Sequence, residues 1–96
     1  MKPSESLHSH RDAILAIALR NGVKNVRVFG SVVHGRDRDG SDLDLLVDAP
    51  RGTTLLDMVR IQHAIEAQIG LPVDVLTAAD LPPLYRDQVL LEAQPL

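Results

Sequence analysis

Apolar and polar residues alternate along this chain with two different periods. From about Ser4 to Asn21 the period is helical: Leu7, Ile14, Ile17 and Ala18 recur at helix spacing, with Leu15 and Leu19 beside them. Asn21-Gly22 ends that run, because glycine takes the left-handed cap conformation without steric cost. Val26 to Phe29 reads as a short strand stopped by Gly30-Ser31. Residues 32–41 are mostly small or polar and read as a loop, opening on a turn of helix. In the strand Leu43 to Val47, Leu43, Leu45 and Val47 alternate with Asp42, Asp44 and Leu46. After the turn at 48–52, Thr54 to Ile69 forms a second amphipathic helix, with Leu55, Met58, Ile61, Ile65 and Ile69 as one stripe. Pro72 to Leu76 is a third strand. A last helix follows Asp80, with Pro82 and Pro83 in its first turn and Leu84, Val89 and Leu90 as its expected buried face. The order α-β-β-α-β-α predicts an α/β (α+β) fold, a small mixed sheet of three or four strands flanked by helices.

Composition narrows the choice of function. Ninety-six residues suit one domain, expected to span 1–96. Aromatic residues are only 2% of the chain, so the core must be aliphatic and stacking platforms for bases are missing. The net charge of −3 lacks the basic footprint of a nucleic-acid binder, so no direct nucleic-acid binding is expected. The chain has no cysteine, which removes disulfides and thiolate metal sites. No apolar run approaches the ~20 residues of a membrane span, and the polar N-terminus carries no secretion signal. A cytoplasmic location away from membranes is the expectation.

Three acids stand where acids are unfavourable. Asp42 and Asp44 are two residues apart on a strand, so both point to one face with Cα atoms about 6–7 Å apart. Two anions on one face repel unless a cation lies between them. Asp74 repeats the pattern in the third strand, between Val73 and Val75. If the two strands are neighbours, three carboxylates converge, and their hard oxygens suit Mg²⁺ or Mn²⁺. Gly30-Ser31 directly follows a strand; glycine lets backbone approach a phosphate, and Ser31 adds a hydroxyl and an N–H. A phosphate cradle beside a carboxylate metal site is what nucleotidyl transfer needs.

Each of these features is commonplace alone. A lone Asp-x-Asp is usually a solvated strand edge, and a Gly-Ser pair is often a plain turn. Their combination and order carry the argument. Competing motifs fail on particular residues. Gly30 and Gly35 have P-loop spacing, but Arg36-Asp37 replaces Lys-Ser/Thr. Asp37, Asp39 and Asp42 hint at a calcium loop, but Asp42 stands where its glycine is required. His8 and His10 lack companion zinc ligands and read as exposed, as does His63. Arg36, Arg38 and Arg51 read as surface charges within reach of a phosphate.

The run GSVVHGRDRDGSDLDLLVD, with Gly30-Ser31 and Asp42-x-Asp44, resembles the signature of the polymerase-beta-type nucleotidyltransferase superfamily, and within it the minimal nucleotidyltransferase (MNT) domains. Gly35, Ser41 and the later PVDVL with Asp74 also match, so the resemblance covers nearly the whole chain. The four fixed positions would coincide by chance in roughly one chain in a thousand. The resemblance implies the nucleotidyltransferase fold, and it implies roles. Asp42 and Asp44 bind both of two Mg²⁺ ions, while Asp74 binds the catalytic one and takes the acceptor's proton. Gly30, Ser31 and Ser41 bind the nucleotide, with ATP as substrate. One departure is visible: many members have Ala-Arg-Gly where this chain has Val33-His34-Gly35, so His34, Arg36 or Arg38 stands in for a phosphate-contacting arginine.

MNT domains pair with HEPN-type toxin proteins as antitoxins, and the better-understood ones transfer AMP onto the toxin. The resemblance implies that role: a protein adenylyltransferase acting on a hydroxyl of its partner. The alternative is an antitoxin that neutralises its partner by binding alone. The acid triad favours the enzyme, since mutually repelling acids are costly to keep without metal. A self-sufficient polymerase is excluded by length, because nothing here presents an acceptor. Apolar residues near the C-terminus (Leu84, Tyr85, Val89, Leu90, Leu91, Leu96) exceed what one helix face buries, leaving room for a docking surface or a homodimer contact.

Overall fold

The computed structural model describes all 96 residues. Its elements are α1 (Pro3–Ser9), α2 (Arg11–Arg20), β1 (Lys24–Phe29), β2 (Leu43–Asp48), α3 (Leu55–Ile69), β3 (Val73–Leu76), a short 3-10 turn (Ala78–Asp80), α4 (Pro83–Glu92) and β4 (Gln94–Pro95). The sheet order is β3-β2-β1-β4. β1 runs antiparallel to both β2 and β4, whereas β2 and β3 are parallel, joined through α3. The expected mixed sheet flanked by helices is what forms.

Strand alternation decides how the sheet is covered. Leu43, Leu45 and Val47 face α2 and α3, where they meet Ile14, Ile17, Ile61, Ile65, Val73 and Val75 in one aliphatic core. The opposite face of β2 carries Asp44 and Leu46. Leu46 is fully buried although it lies outside that core, as does buried Leu81 from the connection into α4. β2 is thus buried on both sides over its second half, and its only half-open inner position is Asp44.

Four expectations need correction. The first helix is two: at His10 the backbone leaves helical geometry (φ −116°), and the imidazole Nδ1 bonds Ser6 O at 3.0 Å. Ser6 is itself buried and donates to Ile69 O at 3.1 Å, so α1 is fixed by α3 rather than by continuity with α2. Leu55, placed on the buried stripe of α3, is 81% exposed at its first turn; the buried stripe is Ile61, Ile65 and Ile69. α4 buries none of its residues fully, and Leu84, expected inside, is 82% exposed. β4 was not foreseen as an element: it adds two residues to the edge of β1, and Leu96 packs on the core. No helix is long and apolar enough to cross a membrane.

Candidate active site

Parallel pairing sets Leu43 against Val73 and Asp44 against Asp74. Because side chains alternate in both strands, the two aspartates leave the sheet on one face, away from the aliphatic core. Asp42 lies one residue before β2, two residues from Asp44, and is exposed like Asp74. The three acids picked out from the sequence therefore meet at the N-terminal ends of β2 and β3.

Their electrostatics are those of an unbalanced cluster. Burial pushes the Asp44 carboxyl up to about 6, helped by the charges of Asp74 and Asp42 and by a hydrogen bond with Asp74. None of the chain's ion pairs involves these three residues. As placed, no three acidic or imidazole side chains stand close enough to enclose an ion. The donor set nevertheless fits a hard divalent cation: three carboxylates, one of them partly desolvated and raised in pKa by the other two. A cation would remove the repulsion that raises Asp44.

Gly30 shapes the other wall. It ends β1 with φ +75°, and a Cβ placed there would overlap Asp44 Oδ2. The close approach requires glycine on both counts. Beyond it Ser31 to Gly35 form one loose turn: His34 N–H donates to Gly30 O (3.3 Å) and Arg36 N–H to Ser31 O (2.9 Å). The expected opening turn of helix is present, but it does not continue as an α-helix. Gly30→Ala is expected to cost about 1–2 kcal/mol of stability through the left-handed backbone and to displace Asp44. Transfer should then fall about a hundredfold, the usual effect of misplacing a reacting group by about 1 Å. Urea unfolding and a pyrophosphate-release assay measure the two effects separately.

The loop from 36 to 41 is tied down in ways the sequence did not announce. Asp37 is only 9% exposed and accepts the Ser4 N–H at 2.9 Å. Ser4 holds its carboxyl below the usual range. Asp39 meets the N-terminal ammonium at 3.2 Å. Ser41 closes the loop: its hydroxyl accepts the Arg38 N–H and its own N–H donates to Arg38 O, both at 2.9 Å. The loop that delivers Asp42 to the site is thus anchored to the start of α1. Loop aspartates usually read as solvated, so only the fold reveals Asp37. His34, the residue that departs from the common pattern, is paired through Nε2 with Glu92 Oε2 at 3.0 Å. The largest groove, about 790 Å³, lies at the opposite ends of β2 and β3, lined by Pro50, Thr54, Met58 and Thr77 among others. It holds none of the three acids.

Residues 11–96 match the model of the nucleotidyltransferase domain. The chain belongs to that family. A nucleotidyltransferase is an enzyme. It is 41% identical over 80 residues to a Methanocaldococcus jannaschii protein provisionally named a protein adenylyltransferase, covering 83% of this chain and 86% of that one. It is 39% identical over 62 residues to the protein adenylyltransferase MntA of Thermococcus cleftensis, covering 65% of this chain and 63% of that one. A solved structure described provisionally as a minimal nucleotidyltransferase superposes with a TM-score of 0.84 at 47% identity, over 97% of this chain and 95% of the other. A toxin–antitoxin crystal structure with AMP-PNP shares the fold at a TM-score of 0.75 and 17% identity, over 88% of this chain and 69% of that one. This nucleotidyltransferase is therefore a minimal one in architecture.

Proposed function

We propose that this nucleotidyltransferase transfers AMP from ATP to a hydroxyl of a HEPN-type toxin and acts as that toxin's antitoxin. The observation that carries the reading is the Asp44–Asp74 pair, in register across β2 and β3 and joined by Asp42, with its charge unbalanced. Protein adenylyltransferase is the name of its T. cleftensis relative, MntA. The same name, MntA, stands in the solved MntA–HepT toxin–antitoxin pair, whose fold it shares. Both support the choice of a protein acceptor and a toxin partner.

In this reading Asp42, Asp44 and Asp74 hold two Mg²⁺ ions. Bound Mg²⁺ supplies charge neutralisation for the triphosphate and for the departing pyrophosphate. Gly30 admits the phosphates close to Asp44, and Ser31 donates its N–H and hydroxyl to them. Ser41 keeps the 36–41 loop closed at the nucleotide's edge. The acceptor is a hydroxyl, best a tyrosine, whose ordinary pKa near ~10 means its proton must be taken. Asp74, exposed on the strand next to Asp44, takes it. The acceptor oxygen bonds to the α-phosphorus, the bond from that phosphorus to the bridging oxygen breaks, and pyrophosphate leaves with the electron pair.

In this reading the partner presents that hydroxyl. α4 carries exposed apolar side chains: Leu84, Tyr85 and Leu91 are 82%, 56% and 86% exposed. The reading is tested by mixing the chain with its toxin partner, ATP and Mg²⁺ and following AMP incorporation into each protein. Incorporation into the toxin supports it; none under any metal or triphosphate refutes it.

A further inference from the structure

The single turn after β1 brings His34 one turn beyond Gly30, its backbone N–H donating to Gly30 O at 3.3 Å. Glu92, the last residue of α4, holds the ring from above by Nε2 at 3.0 Å. Glu92 is held in turn. Gln88, one turn earlier, donates to its other oxygen, Oε1, at 3.0 Å. Gln88 is the main cause of a lowered Glu92 carboxyl, with the charge and hydrogen bond of His34 adding to it. Just past Glu92 the chain is locked to β1. Gln94 and Pro95 pair with Val28 and Arg27, Leu96 N–H donates to Val26 O at 3.1 Å, and Arg11 binds Leu96 O at 2.8 Å. The ring is therefore tied at one end to the turn after β1 and, through Glu92, to the end of α4, which β4 holds against β1.

An imidazole bound by a carboxylate at one nitrogen is fixed in orientation, and its protonated form still has a donor at the other nitrogen. Nδ1 makes no hydrogen bond here, and the side chain is 44% exposed. The surroundings need a cation. Three uncompensated carboxylates stand across the Gly30 turn, and a triphosphate brings further negative charge. The other charged groups of this loop are Arg36 and Arg38, both exposed, Asp37, bound by Ser4, and Asp39, bound by the N-terminus; α4 carries Arg86, held by the Ala78 and Leu81 carbonyls, Asp87 and Glu92. An ion pair this exposed contributes little to folding, so its effect is expected in what it orients.

We propose that Glu92 is a positioning residue for the nucleotide, holding His34 over the Gly30-Ser31 turn so that Nδ1–H meets a phosphate oxygen of the triphosphate. This rests on the nucleotide-binding reading above. It assigns a part in the site to the C-terminal helix and explains how a histidine serves where an arginine is common.

The test is calorimetric binding of Mg²⁺–ATP to the intact chain and to E92Q, H34N, E92D and the E92Q/H34N double variant at pH 6.5. At pH 6.5, E92Q and H34N should each weaken binding about threefold to tenfold, the scale of one charge-assisted contact. The double variant should be no weaker than H34N alone, and E92D should recover part of the loss. Unchanged or tighter binding by E92Q, or additive losses in the double variant, would overturn the proposal. If the intact chain itself fails to bind Mg²⁺–ATP, the nucleotide reading is at fault and the proposal falls with it; if it binds and the cycle is additive, only the proposal falls.

Discussion

Asp44→Asn should abolish nucleotidyl transfer while making the metal-free protein more stable at neutral and alkaline pH. Removing one of the three carboxylates proposed to hold the metal should lower the rate about a thousandfold or more, ~4 kcal/mol of barrier. The stability effect has the opposite sign because the folded protein raises Asp44 from 3.8 to about 6. A carboxyl whose pKa rises on folding contributes stability below its unfolded pKa, and loses that contribution as pH climbs through the folded value. The wild type should therefore match Asp44→Asn near pH 3.5 and fall behind it between pH 4 and about 7. The shift in full corresponds to ~3 kcal/mol, but Asp44 is only half-buried, so solvent screening reduces the expected gap to about 1 kcal/mol. In a domain of this size that is about 4–8 °C in Tm at pH 8. Mg²⁺ with ATP should close or reverse the gap by stabilising only the wild type. A metal-free Asp44→Asn protein that melts lower than wild type at pH 8 would make Asp44 a structural residue and remove the basis for the metal site.

Leu45→Ala should remove a large share of the protein's stability. Leu45 is 0% exposed and lies in the interior strand β2, between β1 and β3, one residue from Asp44. Truncating a buried leucine costs about 2–5 kcal/mol through lost transfer energy and the cavity left behind. A domain of this length has about 5–14 kcal/mol in total. The midpoint of urea unfolding should fall by a third or more of its wild-type value, with an unchanged slope. Leu84→Ala, at an exposed position of α4, should move it by no more than about 0.5 kcal/mol. Comparable losses at the two positions would contradict the division between a core under β2 and an open face on α4. Because Leu45 fixes the strand that carries Asp44, the loss of fold and the loss of transfer should track each other here, unlike in Asp44→Asn.

The parts of the fold legible in the sequence were those set by local rules. Period-two alternation identified β2 and its outward acids, and Gly70, at φ +74°, ended α3 where expected. The pairing of Asp44 with Asp74 needed one inference beyond local pattern: that two apolar strands joined by a helix lie side by side and parallel. What escaped was set by distant contacts. Ser6 is buried because Ile69 O accepts its hydroxyl, which no window around Ser6 reveals. A two-residue strand has no period to detect, and Gln94–Pro95 becomes one only by meeting β1. The C-terminal stripe showed correctly that α4 carries more apolar residues than it can bury, but not which of them stay outside. In the site, Asp42, Asp44, Asp74 and Gly30 were readable from spacing. Asp37 and the His34–Glu92 pair depend on chain segments far apart in sequence, so no motif could have flagged them.

The most direct test of the central claim is the intact mass of the toxin partner after incubation with this chain, ATP and Mg²⁺. The account predicts a gain of one or more AMP units that requires Mg²⁺ and is absent with Asp42→Ala, Asp44→Asn or Asp74→Asn protein, together with loss of toxin activity. A toxin of unchanged mass that Asp42→Ala protein nevertheless silences completely would contradict it, and would leave binding alone as the means of neutralisation.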